Sequence, residues 1–233
     1  ICSQTLVIPC NQDFTFDAGL AVIDSSGISA GGDLVRINSS MNAVFKFGLL
    51  VTHHTNDVCL KVKPQTVGPD SSICFTACQV YIDAVVGDAA NNVSGTGLVV
   101  DSSAGKIDLN KFEITEVELP GSGPRIALEI PSSTNVVNFN DFHIVGDRHS
   151  AITVKIAPTT NAVSCNSFTG NLTRISGVGV TNVFNSKSSI TSLTINAGNN
   201  NCIVTAPAAT VTDNDPSIDN VIRVIKPSGD SRY

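Results

Sequence analysis

The sequence predicts an all-β protein, an antiparallel β-sandwich of jelly-roll type built as one large or two smaller β domains. Two observations carry this expectation. The 233 residues hold 27 Val, 21 Ile and 20 Thr against only 12 Leu, and branching at Cβ suits a pleated strand better than a helix. Short apolar runs are also separated throughout by Gly, Pro, Asn and Asp turn signals, and no amphipathic stretch exceeds two helical turns. The length allows one domain or two, and either can bury a core.

In chain order, residues 5–8 read as a short strand closed by Pro9. Phe14, Phe16, Leu20 and Val22 mark one face of a longer strand interrupted near Gly19. After a loop at 27–32, residues 34–37 and 43–51 form strands with Ser39 and Ser40 in the turn between them. Residues 58–62 and 73–86 follow, around a loop at 64–72. Between 87 and 97 the chain turns small and polar. This divides it into an N-terminal β region, 1–88, and a C-terminal β region, 97–233, unless a long surface loop joins both in a single domain.

Beyond that boundary 98–100, 106–119, 125–130, 136–145 and 151–156 read as strands, with a tight connection at Gly121, Gly123 and Pro124. The stretch Ala-Val-Ile-Asp-Ser-Ser ending at Ser26 is echoed by Leu-Val-Val-Asp-Ser-Ser ending at Ser103. From 161 to 201, short apolar pairs sit among Asn, Ser, Thr and Gly. They fit narrow sandwich strands or the rungs of a parallel β-solenoid. The uneven period favours the sandwich and leaves the solenoid as the alternative for the C-terminal half. Residues 221–225 form the last strand, stopped by Pro227.

A net charge of −6, with 15% charged residues and no basic run, argues against a nucleic-acid partner and against an anionic membrane surface. No apolar run is long enough for a transmembrane helix, so membrane insertion is not expected. Seven cysteines (Cys2, Cys10, Cys59, Cys74, Cys78, Cys165 and Cys202), three glycosylation sequons (Asn38, Asn92 and Asn171) and a first residue that is Ile together predict a secreted or cell-surface chain with disulfides and glycans. The expected bridges are Cys2 with Cys10, Cys165 with Cys202, and Cys59 with Cys74 or Cys78. The odd thiol is left buried or pairs with a neighbouring chain. Zinc is not expected, because no second Cys-X-X-Cys or nearby His completes a tetrahedral set.

Catalytic patterns are scarce. The four histidines are His53, His54, His143 and His149, and no Gly-X-Ser-X-Gly elbow is present. His53-His54 reads as a hairpin loop, and Asp141-Phe142-His143 through Asp147-Arg148-His149 as a solvated turn. Glu113, Glu116 and Glu118 read as the solvent face of one strand, and with Glu129 they single out no acid and base. Asp213, Asp215 and Asp219 are a weak calcium candidate, the only cofactor suggested, beside the simpler reading of an Asx-rich turn. With no Trp, two Tyr and ten Phe largely inside strand patterns, aromatic sugar platforms are few.

These readings predict a non-enzymatic structural subunit of an extracellular filament, pilus or surface coat whose partners are copies of itself. Thr5, Leu6, Val7 and Ile8 are the candidate donor strand that would fill a neighbour's open sheet edge. A secreted adhesin or carbohydrate-binding module is the first alternative, and a viral capsid or fibre protein the second. A solenoid enzyme acting on polysaccharide would instead need acids gathered along one face.

Overall fold

The computed structural model describes residues 4–9, 11–54, 56–65, 74–88, 95–119, 125–131, 135–146, 153–157, 163–178, 181–195, 201–213 and 221–226. They form a solenoid of nine coils. The first holds β1 (Leu6–Ile8), β2 (Asn11–Gln12), β3 (Thr15–Asp17) and β4 (Val22–Asp24). The second holds β5 (Asp33–Ile37), β6 (Ser40–Met41) and β7 (Val44–Thr52), and the third β8 (Val58–Val62), β9 (Cys74–Thr76) and β10 (Gln79–Gly87). Then come β11 (Thr96–Val100), β12 (Lys106–Asp108) and β13 (Lys111–Glu118); β14 (Ile126–Ile130), β15 (Val137–Asn138) and β16 (Asp141–Ile144); and β17 (Thr153–Ile156), β18 (Val163–Ser164) and β19 (Ser167–Gly170). The last three coils carry two strands each: β20 (Arg174–Ser176) with β21 (Val183–Ser186), β22 (Ile190–Ile195) with β23 (Asn201–Thr205), and β24 (Ala209–Asp213) with β25 (Val221–Ile225).

Each position in a coil pairs with the same position in the next, and every pairing among the described residues is parallel. Three sheets result. Sheet A runs from β1 to β24, sheet B from β2 to β18, and sheet C from β3 to β25. A strand flanked on both sides by parallel neighbours must bury one face, and here the three inner faces close on one another. One aliphatic column in sheet A therefore runs Leu6, Val35, Leu60, Leu98, Leu128, Val154, Ile175, Leu193, Val211. In sheet C the matching column is Phe16, Phe45, Val80, Phe112, Phe142, Phe168, Phe184, Val204, Val224.

The aromatic column is a stack. Phe112, Phe142, Phe168 and Phe184 sit 4.9, 5.0 and 4.7 Å apart with rings within 7, 8 and 10° of parallel. This is the spacing of adjacent strands, so parallel pairing itself sets the ring contacts. Where sheet C has Val80, Phe75 of sheet B swings into the gap, 5.9 Å from Phe45 and 6.1 Å from Phe112. Gly170 is required beside this column: its φ is +128°, and a Cβ there would run into the Ile144 carbonyl oxygen.

Between sheets B and C each of the first six coils turns on one residue with positive φ, Asp13, Asn42, Ala77, Leu109, Phe139 and Cys165, and Thr181 takes the same place before β21; all lie between 49 and 59°. Only two of these are Asp or Asn, the side chains that tolerate the left-handed region best. From the second coil on the residue after the turning one is buried, and in four successive coils it is asparagine: Asn110, Asn140, Asn166 and Asn182. The Asn140 Oδ1 accepts from the Asn110 N–H and Nδ2 at 3.1 and 2.9 Å. Its own Nδ2 donates to the Ile107 carbonyl at 3.1 Å and to the Asn166 Oδ1 at 3.0 Å. The same set repeats from Asn166 to Asn182. Each buried amide thus has both donors and its acceptor satisfied, which offsets the strain of the preceding residue.

The antiparallel sandwich is overturned, because no described strand is antiparallel to another. The solenoid kept as an alternative for the C-terminal half extends from Leu6 to Ile225. The expected strands at 73–86, 106–119 and 136–145 are each two strands cut by Ala77, Leu109 or Phe139. Turning there sends the chain into another sheet and not back along itself. All three sheets continue across 87–97, through the pairs β8 with β11, β9 with β12 and β10 with β13. The echoed hexapeptides fall in different sheets, one at β4 and one at β11. What they share is a strand-ending Asx turn, with Asp24 accepting from the Ser26 N–H at 3.0 Å and Asp101 from the Ser103 N–H at 2.9 Å.

Replacing Asn140 by Ala strands the Asn110 amide donors and the Ile107 carbonyl inside the wall, and should cost about 3 kcal/mol in urea unfolding. Phe142→Ala should cost about 3 to 5 kcal/mol. Asn185→Ala, on the exposed side of β21, should stay within about 0.5 kcal/mol. Equal small losses at Asn140 and Asn185 would deny the ladder its role.

Candidate functional site

The densest gathering of reactive side chain types lies where sheet C hands over to sheet A in the first three coils. Parallel register brings the strand ends together, since Asp24 pairs with Val51 and Gly87 with Thr52. His53 and Asp88 therefore stand level in adjacent coils, while Asp24, level with Val51, lies two residues back on the coil before and within reach of the His53 ring. The His53 Nδ1 is 3.0 Å from the Asp88 carboxylate and its Nε2 is 3.9 Å from that of Asp24. Ser26 donates to Asp24 through its hydroxyl and its N–H, and with a smaller contribution from His53 this holds the Asp24 carboxyl below the ordinary 3.8.

Beside this column lies Asp57, wholly buried. Its carboxylate accepts from the Ser25 hydroxyl at 2.6 Å, the Gly31 N–H at 2.9 Å and the His54 N–H at 3.1 Å, with the His54 Nδ1 at 3.2 Å. A buried carboxylate held by this many donors is compensated. The trio Ser25, His54 and Asp57 has the composition of a hydrolytic triad but not its connectivity. The serine hydroxyl donates to the carboxylate, accepts from the His53 N–H at 2.9 Å, and is 1% exposed. A nucleophile must give its proton to the imidazole and face a substrate. These residues instead tie the corner of coil one to the corner of coil two.

Two outer faces carry the remaining charge. On sheet A, Asp33 meets Arg36 and Lys61, and Asp101 meets Lys61 and Lys63, the last at 3.2 Å. Glu129 pairs with Lys155 at 2.7 Å. On sheet C the row Lys46, Tyr81, Glu113, His143, Thr169, Asn185 runs in register, one residue per coil. Lys111 reaches Glu113 at 2.9 Å and lies 5.2 Å over the Tyr81 ring, and the His143 Nδ1 meets the Thr169 hydroxyl at 2.8 Å. His143 thus belongs to the parallel strand β16 and not to the solvated turn expected there; Asp147 and His149 lie outside the described residues. Glu116 and Glu118 are exposed, as expected.

No two of Cys59, Cys74, Cys78, Cys165 and Cys202 are bridged. Cys59 faces the core from sheet A with its Sγ 3.9 Å from the Leu50 carbonyl, Cys78 occupies the ladder column ahead of Asn110, and Cys202 is buried in β23. Cys165 is one of the left-handed turn residues and points outward, 3.2 Å from the Thr181 hydroxyl. Cys2 and Cys10 lie outside the described residues. So do Asn92, Asp215 and Asp219, while Asp213 ends β24. No group of three or more His, Cys, Asp or Glu disposed to hold a metal occurs among the described residues.

Of the other sequons, Asn38 is buried, and the Asn171 side chain accepts from the Gly146 N–H at 2.6 Å and donates to its carbonyl at 2.8 Å. Thr5 donates its hydroxyl to the Asp33 carbonyl, and Leu6, Val7 and Ile8 pair with Val35, Arg36 and Ile37 of the same chain. The candidate donor strand is therefore the opening strand of its own sheet A. The corner cluster around His53 escaped sequence reasoning because its members are spread over more than sixty residues. The short pattern His54-X-X-Asp57 was its one local signal.

Two measurements test these assignments. Burial raises the Cys78 and Cys202 thiols to about 11 and about 12 and pushes Cys59 up further. A thiol reagent should therefore label Cys165 in seconds to minutes in the native chain and those three only on unfolding, as peptide mapping would show. Burial alone would raise the Asp101 carboxyl, but Ser103 and Lys63 outweigh it and hold it below the ordinary 3.8. Its contribution to stability is present above that value and is lost as the pH falls through the depressed native one. Asp101→Asn should accordingly flatten the acid limb of a stability curve, and an unchanged limb would remove Asp101 from it. Comparison of the chain with known protein families, curated proteins and solved structures finds no match, so geometry alone carries the reading of function.

Proposed function

We propose that the chain is a structural subunit of an extracellular filament or surface coat, a stiff β-solenoid rod that associates with copies of itself and performs no turnover. The observation that carries this reading is where the reactive groups are spent. The Asp57 carboxylate is taken up by Ser25 of the first coil and by His54 of its own loop, and the four ladder asparagines are consumed inside the wall. Both end coils favour association. Leu20 and Val22 in the first coil and Val211, Val224 and Ile225 in the last leave large apolar area exposed. Among the described residues β24 and β25 pair on one side only. Coil edges of one copy meeting those of the next form a head-to-tail contact, which propagates as a filament.

A second reading, a glycan-binding module, draws on the outer face of sheet C. There Tyr81, Glu113, His143 and Thr169 repeat at the spacing of the coils, a periodic polar surface suited to an extended polymer. Sedimentation over a hundred-fold concentration range, with negative-stain microscopy, should show elongated particles that lengthen with concentration. A chain that stays monomeric overturns the structural reading. In that case, retention of an immobilised polysaccharide, lost in Tyr81→Ala, would favour the second.

A further inference from the structure

We propose that His53 is a proton-operated latch that closes the first coil onto the second and third, engaged when its ring is protonated and slackened when the ring is neutral. The argument rests on how many protons an imidazole can give. Carboxylates face both ring nitrogens: Asp88 at 3.0 Å from Nδ1 and Asp24 at 3.9 Å from Nε2. A neutral ring carries one N–H and can serve one carboxylate, presenting a lone pair to the other. An imidazolium serves both. The three residues stand in three different coils, so the second proton is what joins coil one to coil three through coil two.

The other titratable groups around the latch leave this role to His53. The Asp24 carboxyl is held below its ordinary range by the Ser26 hydroxyl and N–H, with His53 adding to them, so it stays ionised while histidines titrate. Asp57 and His54, in the loop after β7, are engaged with each other and with Ser25. Glu118 of β13 lies beside Val86, one coil further along and short of the column's end. His53 is only partly buried, so protons reach it without unfolding. Coil one is also the coil that needs a latch: β3 and β4 bury little of their surface, and its turn to sheet C lacks the asparagine that begins at Asn110.

The latch acts within one chain, whether or not copies associate. Its test is amide hydrogen exchange on the full chain at pH 5 and pH 8, corrected for intrinsic rates. The reporters are the amides of Ala18 and Ser25, which bond the Lys46 and Val51 carbonyls, and that of Leu49, which bonds Ala21. Their protection should fall on the order of ten-fold from pH 5 to pH 8, while that of the Phe142 and Phe168 amides should not change. His53→Gln should show the same low protection at both values, and Asp88→Asn should shrink the difference if the glutamine variant does not fold. His54→Gln and His143→Gln should retain it. Protection independent of pH in the parent chain, or a pH effect that survives in both His53→Gln and Asp88→Asn, would overturn the latch.

Discussion

The register of the solenoid depends on one two-residue device, a left-handed residue followed by a buried inward side chain at the corner between sheets B and C. The left-handed step turns the strand out of one sheet and into the next within a single residue, as at Phe139 and Cys165. The asparagine after it then fixes the height of each coil, because its Oδ1 must meet two donors of the coil before and its Nδ2 a carbonyl of that coil. A slip of one residue would turn every side chain in the adjoining strand to the opposite face. The aromatic stack follows from the same device. Each Phe lies two residues after its Asn, so fixing the amides at strand spacing also places the rings 4.7 to 5.0 Å apart.

That device was written in the sequence as Asn-X-Phe at 110, 140, 166 and 182, yet the period hides it. The coils return after 30, 26 and 16 residues, because loops of different length leave the corners without disturbing the ladder. A search for a constant repeat passes over such a pattern, while a search for a constant corner would find it. The composition was sound, and strands such as Val58–Val62 and Val221–Ile225 fall where β-branching placed them. Pairing direction was not legible. Residues 106–119 alternate well enough to pass for one long strand, and nothing in Asp108-Leu109-Asn110 announces positive φ, since neither Gly nor Asn stands at the turning position.

The corner cluster shows why chemistry was harder still to read. Asp24, His53 and Asp88 meet because β4, β7 and β10 end within one residue of one another in register, a fact that no local spacing encodes. The cysteines point the same way. In a sandwich, Cys59 and Cys78 are natural candidates for an inter-sheet bridge. In a solenoid each serves as a small apolar side chain, Cys59 in the wall of sheet A and Cys78 where the ladder has yet to begin.

The two ends of the rod are held by different physics. At the matching corner position the first three coils place an exposed Phe14 and the buried Ala43 and Cys78, none of which has a side-chain amide to pass a hydrogen bond to the next coil. Those same coils hold the Asp57 clamp and the His53 column, and a chain of ion pairs runs from Arg36 through Asp33 and Lys61 to Asp101 of the fourth coil and back to Lys63. From Asn110 to Asn182 the corner is neutral and internally satisfied, and the aromatic stack tightens from about 6 Å to about 5 Å between rings. Charged ties depend on proton and salt concentration, whereas buried amide ladders and stacked rings respond weakly to either. In a fold where each coil touches only its neighbours, such a gradient is not averaged away. The first coils can loosen while the middle ones, from Asn110 to Phe184, hold, so one end of the rod responds to its surroundings while the body keeps its shape.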